Sequence, residues 1–141
     1  MKKRITKILL PLMATVLLLA GCGRDVELST TYFTIQPGEW STQENLGYAY
    51  AEKQFTELTD NVINGGAVMV YYIDENGYDN QLPYLLPYYQ MDDQGNEGLY
   101  FENIRYDLRR GWITFIVQQN DNYVILPSKA MKFKVCILEN R

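Results

Sequence analysis

The chain contains no histidine, so the commonest general base and metal ligand is missing. It also lacks a Gly-x-Ser-x-Gly elbow, a P-loop and a Cys-x-x-Cys pair. Beyond residue 22 the only serines are Ser29, Ser41 and Ser128, and none has a base that sequence can identify. Catalysis is therefore not expected, and no cofactor or metal is implied. Basic charge is scarce after the first 21 residues. Nine basic residues face 17 acidic ones, a net of −8, which argues against a nucleic-acid partner. No apolar run reaches the about 20 residues needed to span a bilayer. The longest, Ile8–Gly21, has 14 and is interrupted by Pro11.

What the first 21 residues do have is the layout of an export signal. Lys2, Lys3, Arg4 and Lys7 form a positive n-region, Ile8–Leu19 an apolar h-region, and Ala20-Gly21 a small-residue exit. Leu19-Ala20-Gly21-Cys22 resembles the lipobox of bacterial lipoproteins. The resemblance implies cleavage before Cys22 and a diacylglycerol on its thiol. Each buried acyl methylene contributes about 0.8 kcal/mol, so several chains hold a domain on a membrane. Position 23 is Gly, not the Asp that retains many such proteins at the inner membrane, so the outer membrane is expected. Asp25 and Glu27, close behind Cys22, are a weak match to acidic export signals, which leaves the periplasmic face and the cell surface both open. Once Cys22 is acylated, Cys136 has no disulfide partner. Its setting in Lys134–Leu138 suits a buried structural thiol.

The expected organisation is a signal peptide over residues 1–21, a lipidated Cys and tether over 22–29, and one domain over 30–141. That domain holds all 19 aromatics, 12 of them Tyr, and is too apolar to be disordered. β-Rich runs alternate with turn signals. Strands are expected at Thr31–Ile35, Ala67–Ile73, Tyr78–Leu82, Leu99–Tyr106, Trp112–Gln119, Tyr123–Leu126 and Met131–Leu138, and turns at Glu75-Asn76-Gly77 and Asp107–Gly111. Trp40–Gln54 reads as either a strand or a loop entering a helix. Ala67–Ile73 is apolar at both parities, as in a central strand. Pro83 and Pro87 make Tyr84–Gln90 edge-like. Thr56–Asn64 reads as a two-turn helix, capped by Thr56 and stopped by Asn64-Gly65-Gly66. Seven or eight short strands and one short helix predict a mainly β fold, a single β-sandwich of immunoglobulin-like size, with a small barrel as the alternative.

Three features invite a functional reading. The Asp92–Glu97 loop carries three carboxylates, which suit either a calcium ion or a solvated hairpin; its spacing is not that of an EF-hand. Paired carboxylates also serve glycoside hydrolysis, but they need a cleft that a small sandwich seldom offers. Trp40 and Trp112 are the first candidates for ligand stacking, with rim packing as the alternative. Outward members of Tyr71-Tyr72 and Tyr88-Tyr89 extend the aromatic supply. Finally, residues 105–141 hold seven basic and three acidic residues. Arg105, Arg109, Arg110, Lys129, Lys132 and Lys134 would form either one patch for an anionic head group or glycan, or separate pairs with acidic neighbours.

Three stretches carry a family likeness: Thr59–Tyr71, Leu82-Pro83-Tyr84 and Phe133–Ile137. They resemble a domain common in uncharacterised small lipoproteins of Bacteroidota, one that follows collagen-like repeats in some proteins of that phylum. The resemblance spans Trp40–Leu138. It implies a β-rich single domain and a lipid anchor, and it carries no catalytic motif. The expected function is thus an outer-membrane-anchored, non-catalytic binding or structural module. A glycan-binding accessory protein is the alternative, and a small carboxylate-dependent hydrolase ranks behind both. The expected partners are the membrane, through Cys22, and a glycan or protein.

Overall fold

The computed structural model describes residues 25–91, 94–120 and 124–140. The chain is mainly β, a sandwich of two antiparallel sheets with few helices. Its strands are β1 (Val26–Ile35), β2 (Ser41–Gln43), β3 (Tyr48–Gln54), β4 (Ala67–Ile73), β5 (Asp79–Gln81), β6 (Tyr84–Met91), β7 (Glu97–Arg109), β8 (Trp112–Gln119) and β9 (Met131–Asn140). One helix, α1 (Asp60–Gly65), precedes β4. One sheet has the order β1-β9-β4-β5 and the other β2-β3-β8-β7-β6. Nine strands among the described residues exceed the expected seven or eight, mainly because Trp40–Gln54 supplies both β2 and β3.

Alternation builds the core. Along β9, Met131, Phe133, Val135 and Ile137 are buried, and along β8, Ile113, Phe115 and Val117. Register places Phe33 and Tyr72 on either side of Phe133, and Ala51 and Tyr106 on either side of Phe115. The small Ala49 and Ala51 leave room for the large rings opposite. Phe115 and Phe133 stack between the sheets with centroids 4.1 Å apart and planes 20° apart. Phe33 meets Phe55 edge-on at 5.3 Å and Phe115 at 5.7 Å, while Phe133 meets Tyr72 at 6.0 Å. An aromatic row therefore runs through the core from Phe55 to Tyr72.

Several boundaries differ from expectation for identifiable reasons. Residues 26–29, read as tether, are strand, because β9 extends to Asn140 and pairs with β1 from Val26 onward. Asp107–Arg109, read as turn, continues β7: Leu108 faces Ile113, and the reversal needs only Arg110 and Gly111, whose φ is 74°. Helix α1 begins at Asp60, not Thr56. Phe55 N–H donates to Gly111 O at 2.8 Å and Gly111 N–H to Leu58 O at 2.9 Å, so residues 55–58 are held by the β7–β8 turn instead. Thr59 supplies the cap, its Oγ1 accepting from Val62 N–H at 3.2 Å. Val124–Leu126 is not strand, whereas Tyr123 lies outside the described residues. In β4 only Val70 is fully buried, since the outer face of that sheet is open to solvent.

The free edge at β6 is blunted. Phe101 N–H donates to Asn120 Oδ1 at 3.3 Å and Phe101 O accepts from Asn120 N–H at 3.2 Å, so both its backbone groups face the β8 side. Pro87 lies opposite Phe101, so its missing N–H falls on the free edge. This interrupts the donor row that strand addition requires.

Candidate functional site

Two surfaces collect polar and aromatic side chains. The first is the outer face of the five-stranded sheet. Register places Tyr50 and Arg105 on either side of Ile116, and Tyr48 and Asn103 on either side of Gln118. Ile116 belongs to the solvent-facing parity, yet it is only 2% exposed. The long neighbours cover it. The Arg105 guanidinium lies 5.4 Å from the Tyr48 ring centroid and its Nη1 donates to Gln118 Oε1 at 2.6 Å. Gln118 Nε2 in turn donates to Leu46 O at 3.4 Å. Tyr48 and Tyr50 stand edge to face with centroids 6.3 Å apart. Beside them runs a shallow groove of about 300 Å³, bounded by Leu85, Phe101, Asn103 and Asn120. Asn120 Oδ1 serves Phe101 N–H, while the half-exposed Asn103 amide has no side-chain partner among the described residues.

The second surface is a cleft of about 430 Å³ at the end of the sandwich where β1 finishes and β9 begins. It opens between the turn after β4 and the segment before β9. Glu102 takes an inward position on β7, opposite Gln119 of β8 and Leu86 of β6. Burial holds its carboxyl above the usual carboxylate value, partly opposed by a hydrogen bond with the buried Gln119. Tyr72 also lines the cleft. Its phenol is raised chiefly by burial and further by the charges of Glu75, Asp74 and Glu102, with Lys129 opposing. Lys129 Nζ donates to Glu75 Oε1 at 2.5 Å, which raises the ammonium pKa. Asp74 is lowered, first by the Tyr78 backbone N–H and then by the Asn80 side chain and the Asn76 backbone N–H. The two backbone bonds to its Oδ1 are each 2.9 Å and shape the turn that Asn76-Gly77 signalled.

The residues singled out from sequence separate widely. Trp40 is 5% exposed within the core and cannot serve as a stacking platform. Its apolar ring fills the core, and its Nε1 has no hydrogen-bond partner among the described residues. Trp112 does face outward at 37% exposure, but the Arg109 guanidinium lies 5.1 Å over its ring and covers one face. Cys22 lies outside the described residues. Cys136 is only half-buried, on the outer face of its sheet, with Sγ 3.7 Å from Thr30 Oγ1. Asp92 and Asp93 of the carboxylate loop lie outside the described residues. Among those described, no group of three or more Cys, Asp or Glu side chains is placed to hold a metal ion.

The six basic residues do not share a patch. Arg109 pairs with Glu52 and Arg110 with Asp60, each at 3.0 Å, near the β7–β8 turn. Lys134 pairs with Asp79 on the opposite sheet, its Nζ 4.6 Å from the Tyr71 ring. Lys129 and Lys132 border the end cleft, and Arg105 belongs to the sheet face. Each Tyr-Tyr pair splits as expected. Tyr71 is outward and Tyr72 inward; Tyr89 is 70% exposed while Tyr88 stacks on Tyr100 at 5.8 Å.

Sequence reasoning missed Tyr48, Tyr50, Arg105 and Gln118 as a set, because β3 lies far in the chain from the β7–β8 hairpin that it pairs with. It missed Glu102 as well, although an acidic residue at the parity of Ile104 and Tyr106 was a visible signal. Comparison with family models, curated proteins and solved structures found no match to this chain, so the geometry of these two surfaces carries the functional argument.

Proposed function

We propose that this chain is a small bacterial lipoprotein, held on the outer membrane through a lipidated Cys22, that works as a non-catalytic module binding a glycan. The lipobox-like Leu19–Cys22 and Gly23 support the address. Val26, the first residue of β1, lies four positions after Cys22, so an extended chain places it within about 14 Å of the lipid. β1 then runs about 33 Å away from that point. The end cleft consequently lies at the pole opposite the anchor, and the sheet face runs along the flank between them.

The observation that carries the glycan reading is the covered Ile116, 2% exposed on a solvent-side position under Tyr50, Arg105 and their neighbours. The face is assembled before any ligand arrives, so little side-chain entropy remains to be lost on binding. Aromatic rings suit the apolar C–H face of a sugar. A fixed guanidinium and the Asn103 and Asn120 amides suit its hydroxyls. Protein-partner hot spots use similar residues, but the amide groove beside the rings favours a hydroxyl-rich ligand.

The test uses the full chain solubilised in detergent on a glycan array, with Tyr50→Ala and Arg105→Ala as variants and circular dichroism to verify folding. Binding should fall at least tenfold in both variants and stay unchanged in Trp112→Ala. An array without hits, or hits indifferent to both variants, would refute the reading. Metabolic labelling with an alkyne fatty acid should tag the wild type and not Cys22→Ala; equal labelling would remove the anchor.

A further inference from the structure

We infer that the end cleft is a second binding site, independent of the sheet face, and that it takes a ligand carrying a protonated primary amine. The cleft is a formed cavity whose lining charges do not balance. Of the charged groups that line the cleft, Lys129 is neutralised by Glu75. The Asp74 carboxylate is committed to the backbone N–H groups of Asn76 and Tyr78 and to Asn80. Lys132 sits on the exposed rim. Glu102 is different. It is half-buried, its partner Gln119 is a neutral amide, and no cation pairs with it among the described residues.

A carboxylate removed from water is costly unless a counter-charge or several donors meet it. An anionic ligand would meet Glu102 and Asp74 with like charge. A neutral ligand would leave the Glu102 charge without a counter-ion. A primary ammonium answers it directly, and it also gains from the Tyr72 side chain on the same cleft wall. Leu86 and Met131 supply an apolar floor for the carbon frame. The Tyr72 ring is held in place from behind by Phe133, 6.0 Å away in the core, so the wall is preorganised. A volume of about 430 Å³ lies in the range of small-molecule pockets and admits a monosaccharide or a lysine side chain. The same ammonium chemistry occurs in an amino sugar and in a lysine-bearing peptide.

Isothermal titration of the detergent-solubilised full chain decides this, with glucosamine, N-acetylglucosamine, glucose and Nα-acetyl-lysine amide as probes. At least one of the two amines should bind tenfold or more tightly than N-acetylglucosamine and glucose. Whichever amine binds better identifies the source. Glu102→Gln should abolish the preference with an unchanged circular dichroism spectrum, and Tyr50→Ala should leave it intact. Retention in Tyr50→Ala separates this site from the sheet face, so either proposal can fail alone. Failure of both amines to bind tenfold more tightly than N-acetylglucosamine and glucose, or a preference that survives Glu102→Gln, would overturn the inference.

Discussion

We predict that replacing Phe133 by leucine costs the fold about 3 kcal/mol, most of it through ring geometry and not through lost area. Phe133 and Phe115 are both fully buried, and their stack at 4.1 Å joins the central strands of opposite sheets. Leucine is nearly as apolar as phenylalanine, so the transfer cost is small. Two aromatic contacts disappear, the stack on Phe115 and the tilted contact with Tyr72, at about 0.5–1.5 kcal/mol each. The partly filled space adds about 0.5–1 kcal/mol. At about 2.1 cal/mol/K of unfolding entropy per residue, a domain of this size loses about 4 °C of Tm per kcal/mol, so Tm should fall by about 12 °C. The assay is a double-mutant cycle with Phe115→Leu, read by urea denaturation and by calorimetry. The coupling between the two sites should be about 1 kcal/mol. Additivity within about 0.3 kcal/mol would refute the reasoning, because the stack would then contribute nothing beyond burial.

Two further predictions concern polar groups that the core handles poorly. Glu102→Gln should raise Tm at pH 7. The folded carboxyl has its pKa raised by burial, so the folded state binds its proton more tightly than the unfolded state does. Its contribution is therefore fully present below the unfolded value of about 4.3 and is lost as pH rises through the folded one. The gain from Glu102→Gln should vanish below about pH 4; Tm curves that stay parallel from pH 4 to pH 8 would contradict the burial argument. Trp40→Phe should cost less than about 1 kcal/mol, because relief of the orphaned buried Nε1–H, about 1–3 kcal/mol, offsets the smaller ring. Trp40→Ala should cost about 3–5 kcal/mol. A chemical-denaturation loss above about 2 kcal/mol for Trp40→Phe would mean that the indole N–H is bonded after all.

Where burial alternates along one strand, the sequence was legible. Trp112–Gln119 and Met131–Leu138 showed their inward residues plainly, and β8 has the bounds expected of it. Pro87 marked an edge strand, since a missing donor is tolerated only where no ladder needs it. The same local logic failed for Trp40. An aromatic residue between turn signals gives no indication of whether the space beside it is solvent or core. It failed for Asp107–Arg109, where polar composition masked an alternation that pairing with β8 completes. It failed again for Thr56, whose capping chemistry is sound but whose neighbours Phe55 and Leu58 are bonded to Gly111, more than 50 positions later.

By itself the sequence determined the absence of imidazole chemistry, the β-rich alternation and most turns. Each of these depends on residues within a few positions of one another. Only the tertiary structure decided that Tyr48, Tyr50, Arg105 and Gln118 share a face, that Glu102 lines one cleft with the Lys129–Glu75 pair, and that the basic residues from Arg105 to Lys134 are dispersed, four of them into separate ion pairs. These juxtapositions depend on sheet order and on which sheet faces which. Order and facing are settled by the summed burial of two whole sheets, and no single stretch of chain encodes that sum.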